Sequence, residues 1–183
     1  MDTNQVITTK RLQLHTVLPD EYLLLQKDLA HPDLWHKRGF TDSIKFFASN
    51  PNPLEYRAPK IAANREWAKY LLRVAVLRDN PIIIASAGFH AAPDATGMVE
   101  IGFGVDKAYQ NLGYGQEVLN SMWSWIIDDP QVKTLRYTVS PENKVSQHII
   151  KKLGFKLVGE QIDEKDGLEQ IYELPADQYQ STF

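Results

Sequence analysis

A strand-to-helix junction with two closely spaced glycines most constrains the fold of this chain. Residues 98–105 have the pattern of a strand, and apolar side chains at helical spacing follow between Val118 and Ile126. The connection contains the run Q-N-L-G-Y-G, with Gly113 and Gly115. Glycine allows a tight turn, so consecutive N–H groups and the positive end of the new helix point at one anion. The junction therefore predicts a pyrophosphate-binding loop.

This loop differs from the common nucleotide-binding loops. It lacks the Lys-Ser/Thr pair of a P-loop, and Lys107 stands where a G-x-G-x-x-G pattern starting at Gly102 needs its last glycine. ATP and dinucleotide cofactors are therefore disfavoured. Gly102 and Gly104 lie in the preceding strand, where glycine is unfavourable unless something approaches the backbone closely. We expect a ligand along this strand.

The remaining patterns predict a series of strands and helices in one domain. They are a strand within Lys10–Val17, a helix over Tyr22–Leu29, two hairpin strands between Trp67 and His90, the strand Met98–Val105 with its following helix, a strand over Thr134–Ser140, a helix through Val145–Leu153 closed by Gly154, and two strands at Phe155–Glu160 and Glu169–Leu174. Residues 31–60 contain several prolines, Pro32 among them, and only one short helix-like piece near Ser43–Ala48. This order predicts an α/β (α+β) single domain with a mixed sheet.

Composition excludes several kinds of chemistry. The 183 residues contain no cysteine, which removes disulfides, thiolate ligands and a cysteinyl intermediate. A net charge of −3 disfavours a nucleic-acid partner. His31 and His36 have no acidic cluster beside them in the sequence, so no metal site is predicted. Without an apolar span or an N-terminal targeting pattern, we expect a cytoplasmic protein with no membrane partner.

Two further patterns accompany the glycine loop. The strand before it reads E-I-G-F from Glu100, and Asn143 and Ser146 precede the block L-G-F at 153–155. Together these patterns resemble the GNAT acetyltransferases, and T-K-R-L-Q-L at Thr9–Leu14 resembles their branch of ribosomal-protein and other protein N-terminal acetyltransferases. The resemblance implies one domain over 1–183, with a core at about 9–174 and a variable acceptor-side segment at about 31–66. It also implies a mostly antiparallel sheet flanked by helices.

The resemblance implies acetyl-CoA as co-substrate and assigns residues to it. The loop around the CoA pyrophosphate is matched by Gln110, Asn111, Gly113, Tyr114 and Gly115. The strand that bonds the pantetheine arm is matched by the backbone of Phe103, Gly104 and Val105. Asn143 matches a position near the end of the pantetheine.

Acetyl transfer also needs a base, because an attacking amine must lose a proton. Glu100 shares a strand face with Gly102 and Gly104, and we predict that it accepts this proton directly or through a water. Many members of the family carry a tyrosine acid four residues before the glycine of L-G-F, where this chain has Ile150. Ser146 is the predicted substitute.

These residues predict direct transfer of an acetyl group to a primary amine in a ternary complex. The acceptor stays open between a protein N-terminus and a small amine such as an antibiotic or a polyamine. The isoleucine at the acid position leaves a noncatalytic acyl-CoA-binding module as an alternative. The expected partners are the amine-bearing acceptor and a second copy of the chain in a homodimer.

Overall fold

The structure is a computed structural model that describes residues 5–31 and 34–181. These residues contain eight β-strands and six α-helices. In chain order they are β1 (Ile7–Thr8), β2 (Leu12–Thr16), α1 (Pro19–Lys27), α2 (Phe46–Ser49), α3 (Asn52–Ala63), α4 (Ala68–Leu71), β3 (Arg73–Leu77), β4 (Ile83–Phe89), β5 (Met98–Val105), α5 (Tyr114–Ile126), β6 (Thr134–Val139), α6 (Lys144–Lys152), β7 (Lys156–Asp163) and β8 (Gly167–Pro175). They belong to two compact units, and β5 contributes residues to each.

The first unit consists of Met1–Ala92 and Gly102–Met122. In it β2 pairs antiparallel with β1 and β3, and β3 pairs antiparallel with β4. Leu12, Leu14 and Thr16 are buried while the residues between them are half-buried, as expected for a strand with one covered face. The predicted first strand and the predicted hairpin are confirmed.

Aromatic side chains fill much of the core of this unit. Trp35 stacks on Phe40 and on Phe47, with ring centroids 5.5 and 6.1 Å apart, and Phe46 meets Phe47 edge to face. All four rings are almost completely buried. The segment between α1 and β3 therefore supplies core side chains, although its sequence has no long periodic pattern.

The expectation that residues 31–60 contain only a short helical piece is wrong. Helix α3 has twelve residues and begins inside this segment, at Asn52. Pro53 lies in its first turn and Pro59 lies inside it. Pro53 loses no hydrogen bond there because the first N–H groups of a helix have no intrahelical partner. Leu54, Ala58 and Ile61 form a buried stripe at helical spacing, and this packing offsets the cost of Pro59. Pro32 lies outside the described residues.

The second unit consists of Pro93–Ile101 and Trp123–Phe183. Its part of β5 pairs parallel with β6, with Glu100 opposite Arg136, while β6 and β7 both pair antiparallel with β8. The described ladders are therefore mixed and mostly antiparallel, which confirms the predicted fold class. Gly154 follows α6 with φ 90°, the left-handed conformation predicted for the end of that helix.

The helices of the described residues are short. The longest, α5, has 13 residues. Within residues 5–31 and 34–181, no helix is long and apolar enough to cross a membrane.

Gly88 in β4 provides a test of this packing. A Cβ atom there would lie 1.8 Å from the carbonyl oxygen of Leu71 and 2.8 Å from the Cα of Leu72, and neither backbone atom can move aside alone. We expect Gly88→Ala to lower the free energy of unfolding by about 3 kcal/mol, measured by urea denaturation. Gly159→Ala is the control, because the nearest atom to its Cβ would be 4.0 Å away. Equal stability of the two variants would contradict the geometry.

Candidate functional site

The connection between β5 and α5 contains two residues with left-handed backbone conformations. Asn111 has φ 61° and Gly113 has φ 82°, which asparagine tolerates and glycine adopts without strain. The N–H groups of residues 111–116 have no protein acceptor in the part of the chain that the structure describes. Residues 110–113 are also exposed. Free N–H groups at the start of a helix bind anions, so the loop has the geometry of a phosphate site.

The loop lies against the strand that precedes it. The side-chain amide of Gln110 donates to the carbonyl oxygen of Val105 at 3.0 Å, which holds the loop on the end of β5. A Cβ atom on Gly115 would be 3.2 Å from the ring of Phe103. Gly104 has nothing within 4 Å of a Cβ atom, so the space beside it is open. The first unit thus brings the predicted pyrophosphate and pantetheine residues together.

Arg11, the residue before β2, contacts this loop and the start of α5. Its Nε donates to Oε2 of Glu117 at 2.7 Å, and its Nη1 donates to the carbonyl oxygen of Leu112 at 2.9 Å. Its Cζ lies 4.1 Å from the ring centroid of Tyr114, within the range of a cation–π contact. The side chain therefore contacts three consecutive features of the junction: the loop, the first residue of α5 and the first turn of the helix.

Glu117 fixes the position of Arg11. It is 5% exposed, and its Oε1 accepts from the hydroxyl of Thr9 at 2.6 Å and from the backbone N–H of Arg11 at 2.9 Å. Burial alone would raise the pKa of Glu117, but the hydrogen bonds from Thr9 and Arg11 hold that pKa below its ordinary value. The carboxylate therefore stays charged beside the guanidinium at neutral pH.

Arg11 was not among the site residues predicted from the sequence. The run T-K-R-L, which contains Arg11, indicated only a branch of the family. The pairing of Arg11 with Glu117 could not be predicted because the two residues are more than a hundred positions apart in the chain. No described atom accepts a hydrogen bond from Nη2 of Arg11, which lies 3.5 Å from the Cβ position of Gly113. Arg11 therefore adds a positive donor to the loop.

The predicted base Glu100 belongs to the second unit. The hydroxyl of Thr138 on β6 donates to its Oε1 at 2.6 Å. Arg136, directly opposite Glu100 in the strand register, instead donates to Oε1 of Glu173 at 2.8 and 2.5 Å from its Nε and Nη2. Val99 is buried and Glu100 is half-buried, which agrees with the predicted strand alternation.

A second carboxylate near Glu100 was missed from the sequence. Burial raises the pKa of Glu169 on β8, and the negative charges of Asp163, Glu100 and Asp166 raise it further, against a lowering hydrogen bond from Gln161. A carboxylate with a raised pKa accepts protons more readily near neutral pH. No local motif marks this residue, because its effect depends on the pairing of distant strands.

Asn143 and Ser146 occupy the start of α6. The Oδ1 atom of Asn143 accepts from the N–H of Ser146 at 3.0 Å, so Asn143 is the N-cap of the helix. Ser146 is 8% exposed and its hydroxyl shares a hydrogen bond with the phenol of Tyr137. Burial raises the pKa of Tyr137, which keeps the phenol protonated at neutral pH. Ile150 is completely buried in the core.

Within the described residues, His, Asp and Glu side chains form no group of three or more that could hold a metal ion.

Residues 23–156 match the family model for the acetyltransferase (GNAT) domain. The match covers more than half of the chain, so the protein belongs to the GNAT acetyltransferase family, whose enzymes use acetyl-CoA as co-substrate. The resemblance noted in the sequence is thereby confirmed.

Individual relatives extend this comparison. The chain is 33% identical over 84 residues to the uncharacterized N-acetyltransferase YjdG of Bacillus subtilis (strain 168), and this match spans 46% of the chain and 50% of that protein. The ribosomal-protein-S5-alanine acetyltransferase from Vibrio fischeri has a similar structure, with TM-score 0.63, 12% identity and coverage of 96% of this chain and 99% of that one. The microcin C7 self-immunity acetyltransferase MccE, in complex with acetyl-CoA and AMP, has TM-score 0.61, 15% identity and coverage of 91% and 93%. At these identities the two solved structures show a shared fold.

Arg11 gives a direct test of the loop. We expect Arg11→Met to weaken the binding of CoA about tenfold, because it removes a cationic donor and the support of the Leu112 carbonyl. Isothermal titration calorimetry with CoA measures the change. Arg78→Met is the matched control, since Arg78 donates to the carbonyl oxygens of Thr9 and Lys10 on the same segment. Arg11→Met with wild-type affinity would exclude this role.

Proposed function

We propose that this protein transfers the acetyl group of acetyl-CoA to a primary amine, by direct transfer in a ternary complex. Family membership supports the reaction class and the donor. The observation that carries the proposal is the loop at 111–115, whose N–H groups lack protein acceptors among the described residues and which the positive side chain of Arg11 contacts at Leu112 and Tyr114. Such a loop suits the pyrophosphate of CoA.

The residues of β5 suit the rest of the donor. We propose that the pantetheine arm lies along the backbone of Phe103, Gly104 and Val105, where the open space beside Gly104 admits it. A strand N–H there polarises the thioester carbonyl and holds the negative charge that develops on its oxygen. Asn143 is proposed to meet the cofactor near the end of the pantetheine, in addition to its role as a helix cap.

The proposed reaction assigns one residue to each proton transfer. Glu100, directly or through a water, takes a proton from the amine; the nitrogen bonds to the carbonyl carbon, and the carbon–sulfur bond breaks. The thiolate takes a proton from the hydroxyl of Ser146 as that hydroxyl takes one from solvent, and Glu100 returns its proton to solvent; Tyr137, which shares a hydrogen bond with Ser146, supports this hydroxyl. Holding amine and thioester together contributes up to ~7–11 kcal/mol to the acceleration.

We propose that both units form one acetyltransferase domain over 1–183, because the family match at 23–156 includes residues of each. Residues 31–66 are proposed to face the acceptor. A protein N-terminus is the first candidate acceptor, in keeping with the T-K-R-L-Q-L resemblance. A small amine is the second candidate, and a noncatalytic acyl-CoA-binding module is the alternative that a turnover assay decides. Cytoplasmic location and a homodimer are proposed from the sequence alone.

Acetyl-CoA is expected to stabilise the protein, by about 2.7 kcal/mol at a hundredfold excess over its dissociation constant. Gly113→Val should abolish this stabilisation, because a β-branched residue at φ 82° forces the loop to rearrange. Gly167→Val is the control, since Gly167 has φ 75° in the hairpin between β7 and β8 and carries the same strain. Thermal unfolding with and without acetyl-CoA gives the readout. If acetyl-CoA raises the unfolding temperature of Gly113→Val as much as that of the wild type, or does not raise that of the wild type, the proposed role of the loop is contradicted.

Glu100→Gln tests the base. We expect the rate of acetylation to fall by about 10²–10⁴ at pH 7 with acetyl-CoA binding preserved, and to recover in part as rising pH deprotonates the acceptor amine. Glu169→Gln is the matched carboxylate control, expected to lose less than about tenfold. A larger loss in Glu169→Gln than in Glu100→Gln would assign the proton transfer to Glu169 instead.

A further inference from the structure

Arg57 in α3 is a buried guanidinium with few partners. It is 5% exposed; Nη2 donates to the carbonyl oxygen of Gly88 at 2.9 Å, and Nη1 donates to that of Pro53 at 3.3 Å. Its Nε is buried and has no acceptor among the described atoms. No carboxylate of residues 5–31 or 34–181 pairs with it. The side chain is therefore a buried cation held by neutral carbonyl groups.

This charge is not neutralised from within the protein. Burial lowers the pKa of Arg57 to about 10, which still leaves the guanidinium protonated at neutral pH. Tyr22 is the ionisable group that interacts with it, but burial raises the pKa of Tyr22, so its phenol is neutral. The hydroxyl of Tyr22 is also buried without a partner among the described atoms. A buried charge without a counter-ion is unfavourable, and an apolar side chain of similar size would stabilise the fold better.

The guanidinium lies at a defined place beside β5. A Cβ atom on Gly102 would be 3.5 Å from Nη2 of Arg57 and 3.0 Å from Nε2 of His90. Lys60, one helical turn after Arg57, donates its Nζ to the carbonyl oxygen of His90 at 2.5 Å. Gly102 is half-buried and His90 is exposed, so solvent reaches this position. The guanidinium of Arg57 and the imidazole of His90 thus both border the space beside Gly102, which is partly exposed to solvent.

The direction of β5 indicates what this point meets. Phe103–Val105 is the segment proposed to hold pantetheine, and Gly102 precedes it, on the side away from the loop at 110–115. Each strand residue advances about 3.3 Å. A group beside Gly102 therefore lies past the thioester end of the donor, where the acceptor must approach.

We infer that Arg57 binds a carboxylate of the acceptor beside Gly102, so that the acceptor carries both an amine and a carboxylate. The inference rests on the proposed acetyl transfer and names its substrate class. Nη2 of Arg57 has one N–H engaged by Gly88 and a second for the carboxylate. Glycine is required at 102 because a side chain would fill the space that the carboxylate occupies. Arg57 is a specificity-determining residue.

Matched acceptors test this assignment. The panel pairs glycine with glycinamide, β-alanine with β-alaninamide, γ-aminobutyrate with its amide, and amidated Ser-Glu with amidated Ser-Gln; the last pair distinguishes a peptide carboxylate from that of a free amino acid. The wild type should prefer the carboxylate form of at least one pair. In Arg57→Met the ratio of the two kcat/KM values should fall by about 10- to 100-fold. The ratio removes differences in amine reactivity that all variants share.

Arg65→Met is the control, because Arg65 is exposed and pairs with Asp20 at 2.7 Å, so it should keep the wild-type ratio. Gly102→Ala is a second variant, which covers Nη2 while Arg57 stays intact and should lower the ratio too. Arg57→Met should also melt at or above the wild-type temperature, since it removes an uncompensated charge.

Thermal shift with CoA plus the N-acetylated product, in its carboxylate and amide forms, reports on Arg57 without turnover. The carboxylate product should stabilise the wild type more than the amide does, and Arg57→Met should lose this difference. If the wild type, Arg57→Met and Gly102→Ala acetylate amines with the same ratio of kcat/KM for the carboxylate and amide forms, the inference is overturned while the proposed function stands. If the wild type acetylates no amine, the proposed function fails, and equal stabilisation by the two product forms then overturns the inference as well.

Discussion

The contact between Arg11 and Glu117 is the interaction on which the candidate site most depends. A loop whose N–H groups lack protein acceptors is unfavourable by itself, because it leaves the positive end of α5 uncompensated. Glu117 places a carboxylate in the first turn of that helix, and Arg11 joins this carboxylate to the loop carbonyl at Leu112. The ion pair therefore holds the loop in the conformation that the proposed binding of CoA needs, and such preorganisation reduces the entropy that binding removes.

The fold was predictable where one short pattern determined one element. β5 has the predicted bounds, and Gly154 ends α6 as its position suggests. Helix α3 was not predictable because Pro53 and Pro59 indicate a break, and only its buried stripe, which depends on the whole first unit, outweighs that signal. Tertiary packing overrides local preference most readily in such segments.

The candidate site divides in the same way. Gly113 could be identified because a glycine directly before a helix indicates a backbone conformation that other residues rarely adopt. Its φ of 82° is such a conformation. Glu169 and Arg57 could not, because neither stands in a motif. The raised pKa of Glu169 depends on burial and on charges from three separate positions, and the isolation of Arg57 is a property of its surroundings. Sequence patterns reveal backbone requirements better than electrostatic ones.

The buried charge of Arg57 and the lack of a side chain at Gly102 have a common explanation in this protein. A chain selected for stability alone would replace Arg57 with an apolar residue, since the guanidinium has no described counter-ion. It would also have no reason to keep Gly102 in the middle of a strand, where glycine weakens the sheet. Both residues lower stability, and a Cβ atom on Gly102 would lie only 3.5 Å from Nη2 of Arg57. One unfavourable feature is ordinary in a folded domain, but two at the same point of the strand support the inference that the acceptor's carboxylate binds between them.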